Sequence, residues 1–94
     1  MDAVSAQDHY LGRVHGVVIS LDEILTPDEA GHVTRLIEHG EPVEALVELA
    51  WIIVNGTKRI PVEAYRDILE LTSGFASAAF LPENLSDHVI ASTP

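Results

Sequence analysis

Apolar residues recur along much of this chain three or four positions apart, which is the spacing of one face of a helix. In the first third of the sequence this face consists of Tyr10, Val14, Val17, Val18, Leu21, Ile24 and Leu25. The pattern predicts a helix over residues 8–25. Gly12 and Gly16 lie on its opposite side, where each costs about 1 kcal/mol relative to alanine, so a break near Gly16 is compatible with the pattern.

The second helix has a defined start and end in the sequence. Thr26 can cap it, Pro27 suits its first position, and Glu29 occupies the third position of a capping box. Gly40 stands where the helix should stop, because glycine is the usual residue after a helix C-terminus. We therefore predict a second helix over residues 27–39.

Prolines mark the starts of three further helices, which the sequence predicts over residues 42–55, 61–72 and 82–90. Glycines at Gly56 and Gly74 end the first two of them. The chain is thus expected to be all-α, a compact bundle of about five helices in a single domain over residues 1–94. Its termini, residues 1–7 and 91–94, are expected to be loose.

The composition adds charge to this picture without removing the core. The chain has 94 residues, with 15 Asp and Glu against 5 Lys and Arg, and a formal net charge of −10. A disordered acidic chain combines high charge with low hydrophobicity, whereas 47% of these residues are hydrophobic and the mean hydropathy is +0.20. We therefore expect a folded domain whose preferred partner is basic.

Charge and hydropathy also exclude several kinds of partner. A protein of this net charge repels phosphate, so direct binding to nucleic acid or to an anionic membrane surface is not expected. No apolar run approaches the roughly 20 residues of a membrane span, and the acidic, polar N-terminal residues differ from a signal peptide. Because the chain also has no cysteine, it suits a reducing compartment, and we expect a cytoplasmic protein.

The sequence contains no constellation that is typical of an enzyme. It lacks a Gly-rich phosphate loop, a Gly-x-Ser-x-Gly elbow and an acidic calcium loop. Its histidines include no His-x3-His pair for one helix face, and two ligands such as Asp28 and His32 do not make a metal site. We therefore predict no catalytic residue, no bound metal and no cofactor.

The third predicted helix carries the most informative surface. Most of its circumference is apolar, and the remaining strip holds Glu41, Glu44, Glu48 and Trp51, with no Lys or Arg in the helix. One interpretation is an interface, because tryptophan is enriched at binding hot spots and acidic rims steer basic partners. The other is a solvated acidic face, with Trp51 as a core residue at its edge.

A second acidic face lies on the fourth predicted helix, where Glu63, Asp67 and Glu70 accompany Arg66. A solvated face is the simpler interpretation there. If the acidic strip of the third helix is an interface, then Glu38, Asp67 and Glu70 are secondary contacts to the same partner.

Residues that pack helices and form turns follow one another in a recognisable order through most of the chain. They are Leu36-Ile37-Glu38-His39-Gly40-Glu41, Ala45-Leu46, Leu49, Ile60-Pro61, Tyr65, Ile68, Leu71, Leu85 and Val89-Ile90. This order and spacing, over residues 21–90, resembles the small immunity proteins of the MafI and CdiI type, which are encoded beside polymorphic or contact-dependent toxins and bind them. The resemblance implies an all-α fold and a toxin, commonly a nuclease, as the partner, and it supplies no catalytic residue.

Charge and resemblance together suggest a stoichiometric inhibitor. A nuclease must be basic to hold its substrate, so an acidic protein can occlude its cleft without any chemistry of its own. In this hypothesis Glu41, Glu44 and Glu48 complement the charge of the toxin, and Trp51 is an anchor that becomes buried.

Two alternatives remain open. A self-associating helical module would use the same apolar surplus, including Trp51, Phe75 and Phe80, to bury a homodimer face. A small regulatory module would use the same charge complementarity to sequester a different basic protein, such as a transcription factor.

Overall fold

The structure is a computed structural model that describes residues 6–75 and 80–90. The described residues form four α-helices and two short strands: α1 (Ala6–Ser20), α2 (Pro27–Glu38), α3 (Pro42–Asn55), β1 (Ile60–Pro61), α4 (Val62–Thr72) and β2 (Val89–Ile90). The prediction of a compact, mainly helical fold is confirmed, with four helices in place of five. Of the loose termini predicted at 1–7 and 91–94, residues 1–5 and 91–94 lie outside the described residues.

The third helix, α3, forms the centre of the fold, and its bounds match the prediction. Its inner side is completely buried, through Ala45, Leu46, Leu49, Ala50 and Ile53. This side contacts α1, α2 and α4. The most apolar helix of the sequence is therefore the innermost one, as the width of its apolar surface predicts.

Both ends of α2 have the predicted capping geometry. Thr26 Oγ1 accepts a hydrogen bond from Glu29 N–H at 3.1 Å, and Glu29 Oε1 accepts one from Thr26 N–H at 2.9 Å. At the other end Gly40 has a φ of +81°, and Glu41 N–H donates to the Leu36 carbonyl oxygen at 2.9 Å. This turn delivers Glu41 to the start of α3.

The first helix, α1, begins earlier than predicted and is continuous. It starts at Ala6, so residues 6 and 7 belong to the helix rather than to a loose arm. It also continues through Gly12 and Gly16 without a break. Neither glycine is close to another element, because a Cβ added at either position would meet no heavy atom within 4 Å.

The predicted helix over residues 8–25 is too long at its C-terminal end. α1 ends at Ser20, whose hydroxyl donates to the Val17 carbonyl oxygen at 2.7 Å. The residues that follow form turns with hydrogen bonds between close neighbours along the chain. Leu21 and Leu25 are nevertheless buried. The apolar spacing thus predicted which side chains are buried but not where the helix ends.

The predicted fifth helix, over residues 82–90, is wrong. Leu85–His88 form a single 3-10 turn, and Val89–Ile90 form β2. β2 runs parallel to β1, with Ile60 opposite Val89, an arrangement that suits β-branched residues. The first residue of the 3-10 turn is still buried against the helices, so this segment contributes to the core without being an α-helix.

The link between α3 and α4 ties distant parts of the chain together. Lys58 Nζ lies 3.0 Å from Glu29 Oε1 and donates to the Ile24 carbonyl oxygen at 3.3 Å. His88 Nδ1 donates to the Lys58 carbonyl oxygen at 2.8 Å. The next helix, α4, starts one residue later than predicted because the proline before it is extended and belongs to β1. These bonds hold β2 beside β1 and the start of α2 beside the end of α3.

Candidate functional site

A groove of about 650 Å³ lies along the exposed side of α3. Four of the residues predicted for a partner interface line it, namely Glu41, Glu44, Glu48 and Trp51. The rest of its lining is apolar and consists of Val43, Val47, Phe75 and Phe80. The acidic strip identified in the sequence and the groove in the structure are therefore the same surface.

Helical spacing explains the acidic side of the groove. One line of α3 carries Glu44, Val47, Glu48 and Trp51, because each of them is three or four positions from two of the others. Glu41 stands at the N-terminal end of this line, directly before the helix. The described lining includes no Lys or Arg, so the three carboxylates give the groove a negative charge.

Trp51 forms a wall of the groove and is not a core residue. It is 40% exposed, and its Nε1–H donates to the Phe80 carbonyl oxygen at 2.8 Å. This bond satisfies the polar atom of the indole and fixes the orientation of the ring. A role for Trp51 as a buried anchor would therefore require a partner that covers it.

Two phenylalanines complete the groove from outside α3. Phe75 is 68% exposed and Phe80 is 61% exposed. Phe75 follows a turn in which Gly74 has a φ of +83° and Phe75 N–H donates to the Thr72 carbonyl oxygen at 3.0 Å. Its ring packs against Tyr10 of α1, with centroids 5.5 Å apart. Large apolar side chains exposed around one groove are typical of a binding surface.

Tyr10 fixes the turn that carries Phe75. Its hydroxyl donates to the Leu71 carbonyl oxygen near the end of α4. Burial raises the pKa of Tyr10, so the phenol keeps its proton and remains a hydrogen-bond donor at neutral pH. The groove is thus supported by α1 and α4 as well as by α3.

Glu48 also has a neighbour on α2. Its Oε2 lies 3.6 Å from His32 Nε2, and both side chains are about half exposed. This distance is longer than a hydrogen bond, and solvent screens exposed pairs of this kind strongly. The contact therefore compensates little of the negative charge of the groove.

The three secondary residues predicted for the interface do not line the groove. Glu38 is exposed at the end of α2. Asp67 and Glu70 contact Arg13 of α1, whose Nη2 lies 3.3 Å from Asp67 Oδ1 and 3.1 Å from Glu70 Oε1. The hydrogen bond from Arg13 lowers the pKa of Glu70. In the free protein, Asp67 and Glu70 therefore join α4 to α1.

Sequence reasoning named Phe75 and Phe80 as surplus apolar residues for a homodimer face, but it did not place the apolar half of the lining beside the acidic strip. Val43 and Val47 belong to the broad apolar circumference of the third helix, and the structure shows that both are half-buried and border the groove. Phe75 and Phe80 had one usable signal, since they are large apolar residues outside every predicted helix. Their position beside Trp51 depends on the turn after α4, which local spacing does not determine.

No protein-family model, no curated protein and no solved structure matches the chain. Within residues 6–75 and 80–90, no three Asp, Glu or His side chains are grouped as metal ligands. Each helix in the same ranges is too short or too polar to cross a lipid bilayer. The site is therefore defined by the charge and shape of the groove.

Proposed function

We propose that this protein is a small immunity protein, which binds a basic, nuclease-like toxin domain in the cytoplasm and neutralises it by stoichiometric occlusion. It contributes no chemistry of its own. The observation that carries the proposal is the groove along α3, where three carboxylates stand beside exposed aromatic side chains. Aromatic residues are enriched in protein interfaces, and charge complementarity selects the partner.

The two halves of the groove support different stages of binding. Glu41, Glu44 and Glu48 attract a basic surface from a distance, which raises the association rate and makes it sensitive to salt. The aromatic walls supply apolar area that stabilises the complex once contact is made. Asp67 and Glu70 are weaker candidates for direct contacts, because binding a partner would compete with their bonds to Arg13.

The experiment that tests this function is coexpression with the C-terminal domain of a large secreted protein encoded beside this one. We expect the two chains to copurify in a fixed ratio and the toxin activity to be lost in the complex. Absence of such a neighbouring gene, or failure to copurify, would count against the immunity function.

Charge reversal then tests the surface. The pair Glu44→Lys and Glu48→Lys should lower the affinity for the toxin domain and reduce its dependence on salt concentration. The pair Glu23→Lys and Glu63→Lys changes the net charge equally at exposed positions outside the groove lining. If both pairs weaken binding equally, net charge rather than the groove determines the affinity.

A second function is favoured by the exposure of Trp51, Phe75 and Phe80. A second copy of the chain could bury these rings in a homodimer, which would make the protein a self-associating module. Sedimentation velocity over a range of concentrations distinguishes the two, because a dilution-resistant dimer without affinity for the toxin domain favours self-association. A regulatory module for another basic protein would use the same groove, and capture of that protein instead of a toxin would identify it.

A further inference from the structure

The groove combines the ring of Trp51 with a line of carboxylates, of which Glu48 is the nearest along the helix. Trp51 offers an oriented ring, because its Nε1–H is already bonded to the Phe80 carbonyl oxygen. Glu48 lies three residues before Trp51, which is about 5 Å along the helix axis, and Glu44 lies one further turn away. A planar cation on the ring could therefore be reached by the carboxylate of Glu48 from the side.

We propose that the groove receives an arginine side chain of the basic partner, an inference that rests on the proposed function and specifies its chemistry. The guanidinium group stacks on the indole of Trp51 and donates to the carboxylate of Glu48, while Glu44 and Glu41 add to the negative potential along the groove. Guanidinium suits this surface because it is planar, is weakly hydrated and has several donors in a fixed geometry. The ammonium group of lysine is compact and strongly hydrated, so it matches the surface less well.

Two of the chain's cations are paired with carboxylates outside the groove lining. Arg13 is bound by Asp67 and Glu70, and Lys58 is bound by Glu29. None of the described residues that line the groove is Lys or Arg. The net charge of −10 adds to the same preference, so charge complementarity selects a cationic occupant.

The apolar half of the groove fits the remainder of an arginine residue and its neighbours. The aliphatic stem of arginine packs readily on apolar surface while its charged end remains solvated or paired. Val47 and Phe80 provide such surface beside Trp51. The volume of about 650 Å³ exceeds the needs of one side chain, so apolar residues next to the arginine would contact Phe75 and Val43.

A small-molecule titration tests the arginine site directly. Trp51 is the only tryptophan of the chain, so its fluorescence reports on this groove alone. The probe is N-acetyl-arginine amide at constant ionic strength, with the citrulline amide as its uncharged counterpart and the lysine amide as the other cation. We expect a saturable change with the arginine compound, binding several-fold weaker with lysine and at least tenfold weaker with citrulline.

Variants assign the response to the proposed contacts. The pair Glu44→Gln and Glu48→Gln should weaken arginine binding about tenfold, whereas the pair Glu23→Gln and Glu63→Gln should leave it unchanged. Phe80→Ala should weaken it about threefold, and it keeps the carbonyl group that holds Trp51. Because none of these side chains is buried, circular dichroism should show an intact fold in each variant.

Several results would overturn the arginine site. Equal binding of the arginine and citrulline compounds would show that the groove does not recognise charge. Equal binding of the arginine and lysine compounds would show that it does not recognise the shape of the guanidinium group. An equal loss in both Glu→Gln pairs would assign the effect to net charge. A homodimer that the arginine compound cannot dissociate and that Phe80→Ala abolishes would make a second copy the occupant.

The two proposals fail separately. If the toxin domain copurifies but the arginine compound does not change the fluorescence of Trp51, the proposed arginine site is wrong and the immunity function stands. If the arginine compound binds but no toxin domain is captured, the immunity function is wrong while the groove still recognises a guanidinium group.

Discussion

Alanine in place of Gly16 is expected to stabilise the protein. Gly16 lies inside α1 on its exposed side, and an added Cβ would meet no heavy atom within 4 Å. Glycine loses more conformational freedom than alanine when a helix forms. The difference inside a helix is about 1 kcal/mol, and because nothing has to move, we expect Gly16→Ala to gain about 0.5–1 kcal/mol.

Gly40 provides the matched control. The same substitution there adds a methyl group that also meets no heavy atom within 4 Å. The backbone differs, however, because Gly40 has a φ of +81° at the C-terminal end of α2. An L-residue other than glycine is disfavoured in this region by about 1–2 kcal/mol. Gly40→Ala is therefore expected to destabilise the protein although the available space is the same.

Urea denaturation followed by circular dichroism measures both free energies of unfolding. In a domain of this size, 1 kcal/mol corresponds to a shift of roughly 4–8 °C in Tm, so thermal melts give an independent check. Gly12→Ala repeats the test one turn earlier in α1, where an added Cβ again has open space. If Gly16→Ala and Gly40→Ala shift stability in the same direction, backbone conformation does not decide the outcome and the explanation is refuted.

Two further predictions concern acid and the core. The pKa of Glu29 is lowered by the hydrogen bond from the Thr26 N–H of the capping box and, next, by the one from Lys58. The pKa of Glu70 is lowered by the hydrogen bond from Arg13. Stability from these carboxylates should therefore be present above the ordinary glutamate pKa and lost as the pH falls through their lowered values. Urea midpoints between pH 6 and 3 measure this, and Arg13→Gln should remove the part of the pH dependence that comes from Glu70 and keep the part from Glu29. Leu85→Ala should lower the free energy of unfolding by about 2–5 kcal/mol in chemical denaturation, because Leu85 is 3% exposed. Ser86 lies on the same 3-10 turn but is exposed, so Ser86→Ala should have little effect. A small loss of stability in Leu85→Ala would mean that this turn adds little to the core.

Local chemistry determined the helices that the sequence predicted best. The capping box at the start of α2 and the proline at the start of α3 act within a few residues, so their effects can be read without knowing the fold. Gly40 behaves in the same way, because its left-handed backbone completes the hydrogen bonds that end α2.

Gly56 follows α3 as Gly40 follows α2, but it does not have the left-handed backbone of Gly40. By its place in the sequence it should be the left-handed residue after α3, but its φ is −88° and Thr57 takes that position with a φ of +49°. A Cβ on Gly56 would lie 3.0 Å from the Ile52 carbonyl oxygen and 3.1 Å from Lys58 Cε. A side chain at Gly56 would therefore be crowded, because Lys58 passes close to it on the way to Glu29.

The end of the chain could not be predicted from local pattern. Val89 becomes extended because it pairs with Ile60, a partner far away in the sequence. The groove likewise has one part that local sequence pattern predicts and one part that depends on distant contacts. Its acidic line follows from the spacing of residues on α3, whereas Phe75 depends on a turn that folds back against Tyr10 of α1.

The groove is unfavourable for the free protein, and this helps to assign its role. Glu44 and Glu48 are like charges one turn apart, a pairing that costs a few tenths of a kcal/mol, and exposed aromatic rings lower solubility. Glu44 also lies in the first turn of α3, where a negative charge is favourable by about 0.3–1 kcal/mol. The two contributions largely cancel, so replacing both carboxylates by glutamine should change the free energy of unfolding by less than about 1 kcal/mol, while it weakens binding. A large effect on binding with a small effect on stability is expected where a surface serves a partner. If the double variant instead loses much of its stability and keeps its binding, these carboxylates support the fold and are not binding residues.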